Sequence, residues 1–349
     1  MKNKRLIEHK LNRSVNNSVE SSVIKSTLSS LCLFYALLYS IAVNAHEKGF
    51  QQASMSSYII DNAIDAPLSL ISNQALMSAA SSEVASEVTF TELTNERLKS
   101  GVEILNQLLT FKSDNLTQYA LLQAPLPIQS FKDRPLIVFL HGYHPQPKNY
   151  GRIKDGSTYR PGDYYRNLTQ AYTKQGFVVL TLDYRGHNDS QGEQFTQLKD
   201  AQLWYTRDTL HFINLVINSE RFDNDNIFVV GHSMGASIGL YTSLLLKRRI
   251  KASSLWSMSD RTPLLPAFNI QDDKRISNGE KIGLVRLHHG KYDKTTKLEN
   301  SQQAKNILQK HNIFEQLYVY ETDDHLFKLD DFDRAINRDV SWFHSLIEN

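Results

Sequence analysis

The strongest constraint on the fold of this 349-residue chain is a succession of short, mostly apolar runs separated by longer amphipathic stretches. The runs are Leu136–Leu140, Phe177–Leu182, Ile227–Val230, Ser253–Trp256, Ile282–Leu287 and Leu317–Tyr320. A strand covered on both faces has no polar side to alternate with, so such runs predict buried parallel strands. The stretches between them supply the covering helices: Asp163–Lys174, Leu203–Ile217, Ala236–Lys247, Ser301–Lys310 and Phe332–Ile347. In the last of these, Phe332, Ile336, Val340, Phe343 and Ile347 recur at helical spacing and are expected to face the sheet. Ahead of the alternation, Gly101–Phe111 and Gln118–Ala124 read as a hairpin turned by Ser113-Asp114-Asn115. Together they predict an α/β fold with a mostly parallel, eight-stranded sheet and helices on both faces. No internal repeat is visible, which gives propeller and solenoid folds no support.

The first 45 residues follow a different logic. Six Lys/Arg and two acidic residues precede an uncharged apolar run, Leu31 to Val43, that ends at Val43-Asn44-Ala45. A basic segment, a short apolar core and a small-x-small site are the order of a secretory signal, so residues 1–45 are expected to direct export to the periplasm or beyond the cell. Thirteen apolar residues are short for a membrane anchor, and no stable membrane insertion is expected once the segment is removed. Its loss takes 39 basic and 37 acidic residues to 33 and 35, turning a net charge of +2 into −2. Nothing in that balance advertises a nucleic-acid partner. The single cysteine, Cys32, lies inside the apolar run, leaving a mature chain without disulfides or a thiolate. Residues 46–87 are rich in Ser and Ala and read as an extension or linker, with the folded domain spanning 88–349.

The chemistry concentrates at strand ends. Ile227–Val230 runs into Gly231-His232-Ser233-Met234-Gly235, a strand, a G-x-S-x-G turn and a helix in immediate succession. Glycines on either side leave room for a tight, strained turn that lifts a serine hydroxyl above the sheet. Ala236, Ser237 and Gly239 then let the helix pack closely on the strands. Ser233 is therefore the candidate nucleophile. An oxyanion needs backbone donors nearby, and the N–H groups of Met234 and of Tyr143, which follows Leu136–Leu140 by way of His141-Gly142, are the candidates.

An acid and a histidine should follow in that order, each after a strand. Asp293 follows Ile282–Leu287, and His325 follows Leu317–Tyr320. Asp260 is a rival acid after Ser253–Trp256, while Asp323 and Asp324 adjoin the histidine too closely to orient it from behind. His141, upstream in a strand-end turn, reads as structural, as do His311 and His344. His288 and His289 stand beside Asp293, but no helical ligand spacing supports a metal there. No phosphate-cradling glycine loop or dinucleotide fingerprint occurs, so no cofactor is expected.

These motifs resemble those of the α/β-hydrolase superfamily over residues 88–349. Thr110–Asp114, Asp183-Tyr184-Arg185-Gly186-His187 and Lys251–Trp256 further resemble the catalytic domain of the prolyl oligopeptidase (S9) peptidases. The resemblance implies a serine hydrolase that cleaves an ester or short peptide bond through an acyl-enzyme. It also implies that the Tyr143 hydroxyl joins the oxyanion hole. The roughly 40 residues before the domain cannot build the propeller of those peptidases, since each blade takes about that length. Arg185-Gly186-His187-Asn188-Asp189-Ser190 resembles carboxylesterases and monoglyceride lipases as closely, so peptidase and esterase remain alternatives, beside a binding protein that kept the fold without the chemistry. Arg261–Glu280 leaves room for a small cap at most, and the Pro- and Gly-rich loop Tyr143–Gly162 borders the oxyanion side.

Overall fold

A computed structural model describes residue 76, residues 78–79, and residues 88–149, 163–260, 282–310 and 312–347. In chain order the elements are β1 (Thr89–Arg97), β2 (Glu103–Ser113), β3 (Leu116–Pro125), β4 (Leu136–Leu140), α1 (Asp163–Lys174), β5 (Val178–Asp183), α2 (Ala201–Asn218), β6 (Ile227–His232), α3 (Met234–Leu246), β7 (Ala252–Trp256), β8 (Leu284–Gly290), α4 (Leu298–Lys310), β9 (Phe314–Tyr320) and α5 (Leu329–Ile347). The strands form one sheet in the order β1-β2-β3-β5-β4-β6-β7-β8-β9. Neighbours from β5 to β9 pair in parallel, whereas β1, β2 and β3 pair antiparallel with one another and β3 joins β5 in the same sense.

The two faces explain why the runs are apolar throughout. Along β4, Leu136, Val138 and Leu140 enter the core beneath α2, α3 and α4, while Ile137 and Phe139 point to the opposite core beneath α1 and α5. Each of these five side chains is buried. On α5, Ile336, Val340 and Phe343 are buried in the second core, with Phe332 and Ile347 partly buried at its margin, as their spacing predicts.

The sheet has nine strands, one more than expected. The addition is β1, whose sequence Thr-Phe-Thr-Glu-Leu-Thr-Asn-Glu-Arg carries no apolar run because it is an edge strand paired on one side only. A second difference lies at β8, which continues through His288 and His289 to Gly290 instead of ending at Leu287. Both histidines are buried, and each finds a partner on its own side of the sheet. His288 Nε2 lies 2.9 Å from Asp339 of α5, and His289 Nδ1 lies 2.7 Å from the Ser301 hydroxyl of α4. Polar side chains with matched partners can occupy a strand interior, which hydropathy alone does not register.

The expected signal, residues 1–45, lies outside the described residues, as do most of 46–87, the cap segment Arg261–Glu280 and most of Tyr143–Gly162. Within 46–87, Leu76 and Ala79 are buried in the core under α2, and the Ala79 carbonyl accepts a 2.6 Å hydrogen bond from Asn214. No helix among the described residues is long and apolar enough to cross a membrane.

Candidate active site

At the end of β6 the chain turns sharply into α3, and Ser233 takes the whole turn at φ 58° and ψ −120°. A non-glycine residue at positive φ is strained and persists only where its surroundings impose it. Here the imposition is steric and hydrogen-bonded. The Ser233 N–H donates to the Trp256 carbonyl of β7 at 2.9 Å, and its own carbonyl accepts from Ser259 at 3.2 Å. A Cβ on Gly235 would stand 2.0 Å from the Leu140 carbonyl oxygen, so only glycine lets the first turn of α3 lie against β4. Ser233 is 9% exposed, and Met234 opens the helix behind it with its N–H among those that lack an intrahelical acceptor.

On the other side of the serine, β4 ends in His141-Gly142-Tyr143. A Cβ on Gly142 would meet the Ser233 Cβ at 3.1 Å, which places this strand end directly beside the serine. The Tyr143 side chain is 54% exposed. His141 is fully buried, its Nδ1 bonded to the Gly142 carbonyl at 2.8 Å and its ring tilted against Tyr184 with centroids 4.2 Å apart. Burial holds its pKa well below the usual histidine value, so it stays neutral.

Asp293 and His325 meet across the ends of β8 and β9. His325 Nδ1 lies 2.7 Å from Asp293 Oδ2, with the carboxylate wholly buried and the imidazole 15% exposed. The other carboxylate oxygen accepts backbone N–H bonds from Thr295 at 2.7 Å and Thr296 at 3.0 Å. Burial pushes the Asp293 pKa up, but the His325 hydrogen bond and charge, with the Thr296 and Thr295 N–H groups, outweigh it and leave the carboxyl below its ordinary value. The carboxylate that meets His325 Nδ1 is therefore that of Asp293.

Ser233 and His325 are linked through His232. The rings of His232 and His325 pack edge to face with centroids 4.4 Å apart, and His232 Nε2 lies 2.9 Å from the His325 carbonyl oxygen. Among the described residues the Ser233 hydroxyl is held by no hydrogen bond. Tyr165 of α1 completes the surroundings, its hydroxyl 2.7 Å from His232 Nδ1 and 2.9 Å from the Gly142 nitrogen. Neither Tyr165 nor the role of His232 is signalled by the sequence, since a tyrosine in the first turn of an amphipathic helix carries no motif. Among the described residues no cluster of three or more His, Cys, Asp or Glu side chains could hold a metal ion.

The family model described as "Serine aminopeptidase, S33" matches residues 161–257, from α1 to the end of β7. That stretch includes Ser233 and stops before Asp293 and His325. A 31.7 kDa protein of the traX–finO intergenic region of Escherichia coli is 25% identical over 136 residues, covering 34% of this chain and 46% of that protein. The chain spans less than half the length of the curated relatives it matches. Among solved structures, an acetyl xylan esterase from Paenibacillus sp. R4 superposes with a TM-score of 0.53 at 16% identity, over 77% of this chain and 92% of that one. The acylaminoacyl peptidase of Pyrococcus horikoshii does so with a TM-score of 0.50 at 16% identity, over 73% of this chain and 42% of that one.

Proposed function

We propose that this chain, an α/β-hydrolase in fold, is a serine hydrolase that cleaves an ester or short peptide bond through an acyl-enzyme on Ser233. The observation that carries the reading is the 2.7 Å contact between Asp293 and His325 at strand ends beside a serine held at positive φ. In this reaction His325 Nε2 takes the Ser233 proton as Oγ attacks the substrate carbonyl, and returns it to the leaving group as the tetrahedral intermediate collapses. Water then repeats the sequence on the acyl-enzyme. The buried, ionised Asp293 accepts the Nδ1–H, fixing the tautomer that leaves Nε2 as the base and stabilising the imidazolium once it forms. The oxyanion is received by the N–H groups of Met234 and Tyr143, donors fixed by the backbone that need no reorganisation as charge develops.

Two measurements test the reading. A fluorophosphonate probe is expected to label Ser233 and to leave Ser233→Ala unlabelled, because only an activated serine attacks such phosphorus centres quickly. Labelling that persists in Ser233→Ala sinks the assignment. Turnover of p-nitrophenyl esters against aminoacyl p-nitroanilides then separates esterase from peptidase, the two substrate classes represented among the similar structures.

A further inference from the structure

The reaction needs the oxyanion side, contributed by the end of β4, and the base, contributed by the loop after β9, to keep a fixed relation across the nucleophile. A continuous buried chain of hydrogen bonds spans that distance. The Gly142 N–H donates to the Tyr165 hydroxyl oxygen at 2.9 Å, and the hydroxyl lies 2.7 Å from His232 Nδ1. His232 Nε2 lies 2.9 Å from the His325 carbonyl oxygen. The donor at each step follows from the two ends. A backbone N–H can only donate and a carbonyl can only accept, so the tyrosine proton goes to Nδ1 and the histidine proton sits on Nε2. Each of the four groups is satisfied, and Tyr165 and His232 are 3% and 1% exposed. Burial, together with the neighbouring His325 ring, holds the His232 pKa well below the ordinary histidine value, which keeps the neutral tautomer that the chain of bonds requires.

We infer that Tyr165 and His232 are positioning residues, a buried wire that fixes the register between the oxyanion-side peptide at Gly142 and the backbone that carries His325. The wire touches neither substrate nor the transferred proton. Its Gly142 end settles the orientation of the peptide immediately before the Tyr143 donor, and its other end settles where the imidazole stands over Ser233. A displacement of the order of an ångström in either group lowers the rate by about 10²-fold with little change in substrate binding.

This inference rests on Ser233 being the nucleophile, and its test keeps the two apart. Tyr165→Phe retains the ring packing against Phe139 and removes the hydroxyl. His232→Asn retains an acceptor for Tyr165 and removes the donor to His325. Each is expected to lower kcat and the rate of fluorophosphonate labelling at Ser233 by about 10- to 100-fold with KM within about threefold, at temperatures where melting curves show the variant folded. Because the two residues serve one wire, the double variant should lose little more than the worse single one. Wild-type labelling rates in both single variants, or a double variant that loses the product of the two single factors, overturns the wire and leaves the nucleophile in place. A wild-type protein that the probe does not label at Ser233 takes down both.

Discussion

In the proposed mechanism Asp293 acts on His325 in two ways, by fixing which ring nitrogen carries the proton and by facing the charge that appears during the reaction. Asparagine retains the size and loses both, and an amide that donates to Nδ1 imposes the opposite tautomer. Asp293→Asn is therefore expected to lower kcat by roughly 10⁴ with a modest effect on KM. Asp260→Asn should keep most of the activity, since Nδ1 is already engaged at 2.7 Å by Asp293. Melting curves must accompany these assays, because Asp293 also caps two backbone N–H groups of its own loop. A folded Asp260→Asn that is the crippled variant would move the acid to the end of β7. At this scale, what the sequence discloses is whatever chain order controls. Ser233, Asp293 and His325 could be nominated because each follows a strand in a fixed succession. Tyr165 and His232 could not, because their roles arise where α1, the serine turn and the loop after β9 come together in space. Asp339 was equally silent. Three elements away from His288 in sequence, it accepts from Tyr172, Ser254 and Trp256 as well as meeting that histidine, which only packing reveals.

Among the elements, the loop after β5 shows how a motif read as family resemblance serves the architecture. Arg185 is wholly buried, its guanidinium joined to Asp208 of α2 at 2.6 and 2.9 Å and to Asp114 of the β2–β3 turn at 2.9 Å. The faces of Phe195 and Trp204 lie 4.6 and 4.7 Å from its central carbon. One side chain thus ties a strand end, a helix and a hairpin turn together. Removing it would strand the buried Asp208 carboxylate, which also accepts the Arg185 N–H. Arg185→Ala is accordingly expected to lower stability by about 3–5 kcal/mol. Arg207→Ala, which strips the more exposed pair to Asp114, should cost about 1 kcal/mol or less. Chemical denaturation compares them, and equal losses would refute the distinction between buried and surface pairing. The strands around this loop were legible because two-sided burial makes a sequence uniformly apolar. The misread elements have separate physical causes. The edge strand β1 buries too little for such a run, and His288 and His289 extend β8 because each meets a buried polar partner.

Over the whole molecule, acid should act first on the histidines. His141, His187, His232 and His289 are buried, and burial lowers the pKa of each, to about 4 for His187. When the chain unfolds these rings return to about 6.5, so between those values the unfolded state binds more protons than the native one. Stability therefore rises with pH across that window. The contribution is fully present above about pH 6.5 and is lost as pH falls toward the folded values. For His187 alone, a shift from 6.5 to about 4 amounts to about 3 kcal/mol at 1.36 kcal/mol per unit. A second window opens lower down. The Asp114 pKa is about 2, since hydrogen bonds from Arg207 and Arg185 overcome the opposing effect of burial. Asp293 and Asp339 are depressed as well, so their contribution is present above about pH 4 and fails as pH drops through the folded values. Denaturation curves at intervals from pH 7 to pH 4.5 should show unfolding accompanied by net proton uptake. His187→Gln keeps a neutral polar side chain at a site packed among His141, Tyr184 and Tyr205 and cannot be protonated in either state. Its cost at pH 7 reflects lost packing and the lost ring contact with the Arg185 carbonyl, and the gap to wild type should narrow as the pH falls, with the slope of stability against pH reduced by up to one proton. A slope identical in the two proteins would mean that His187 titrates alike folded and unfolded, and that the acid sensitivity originates elsewhere.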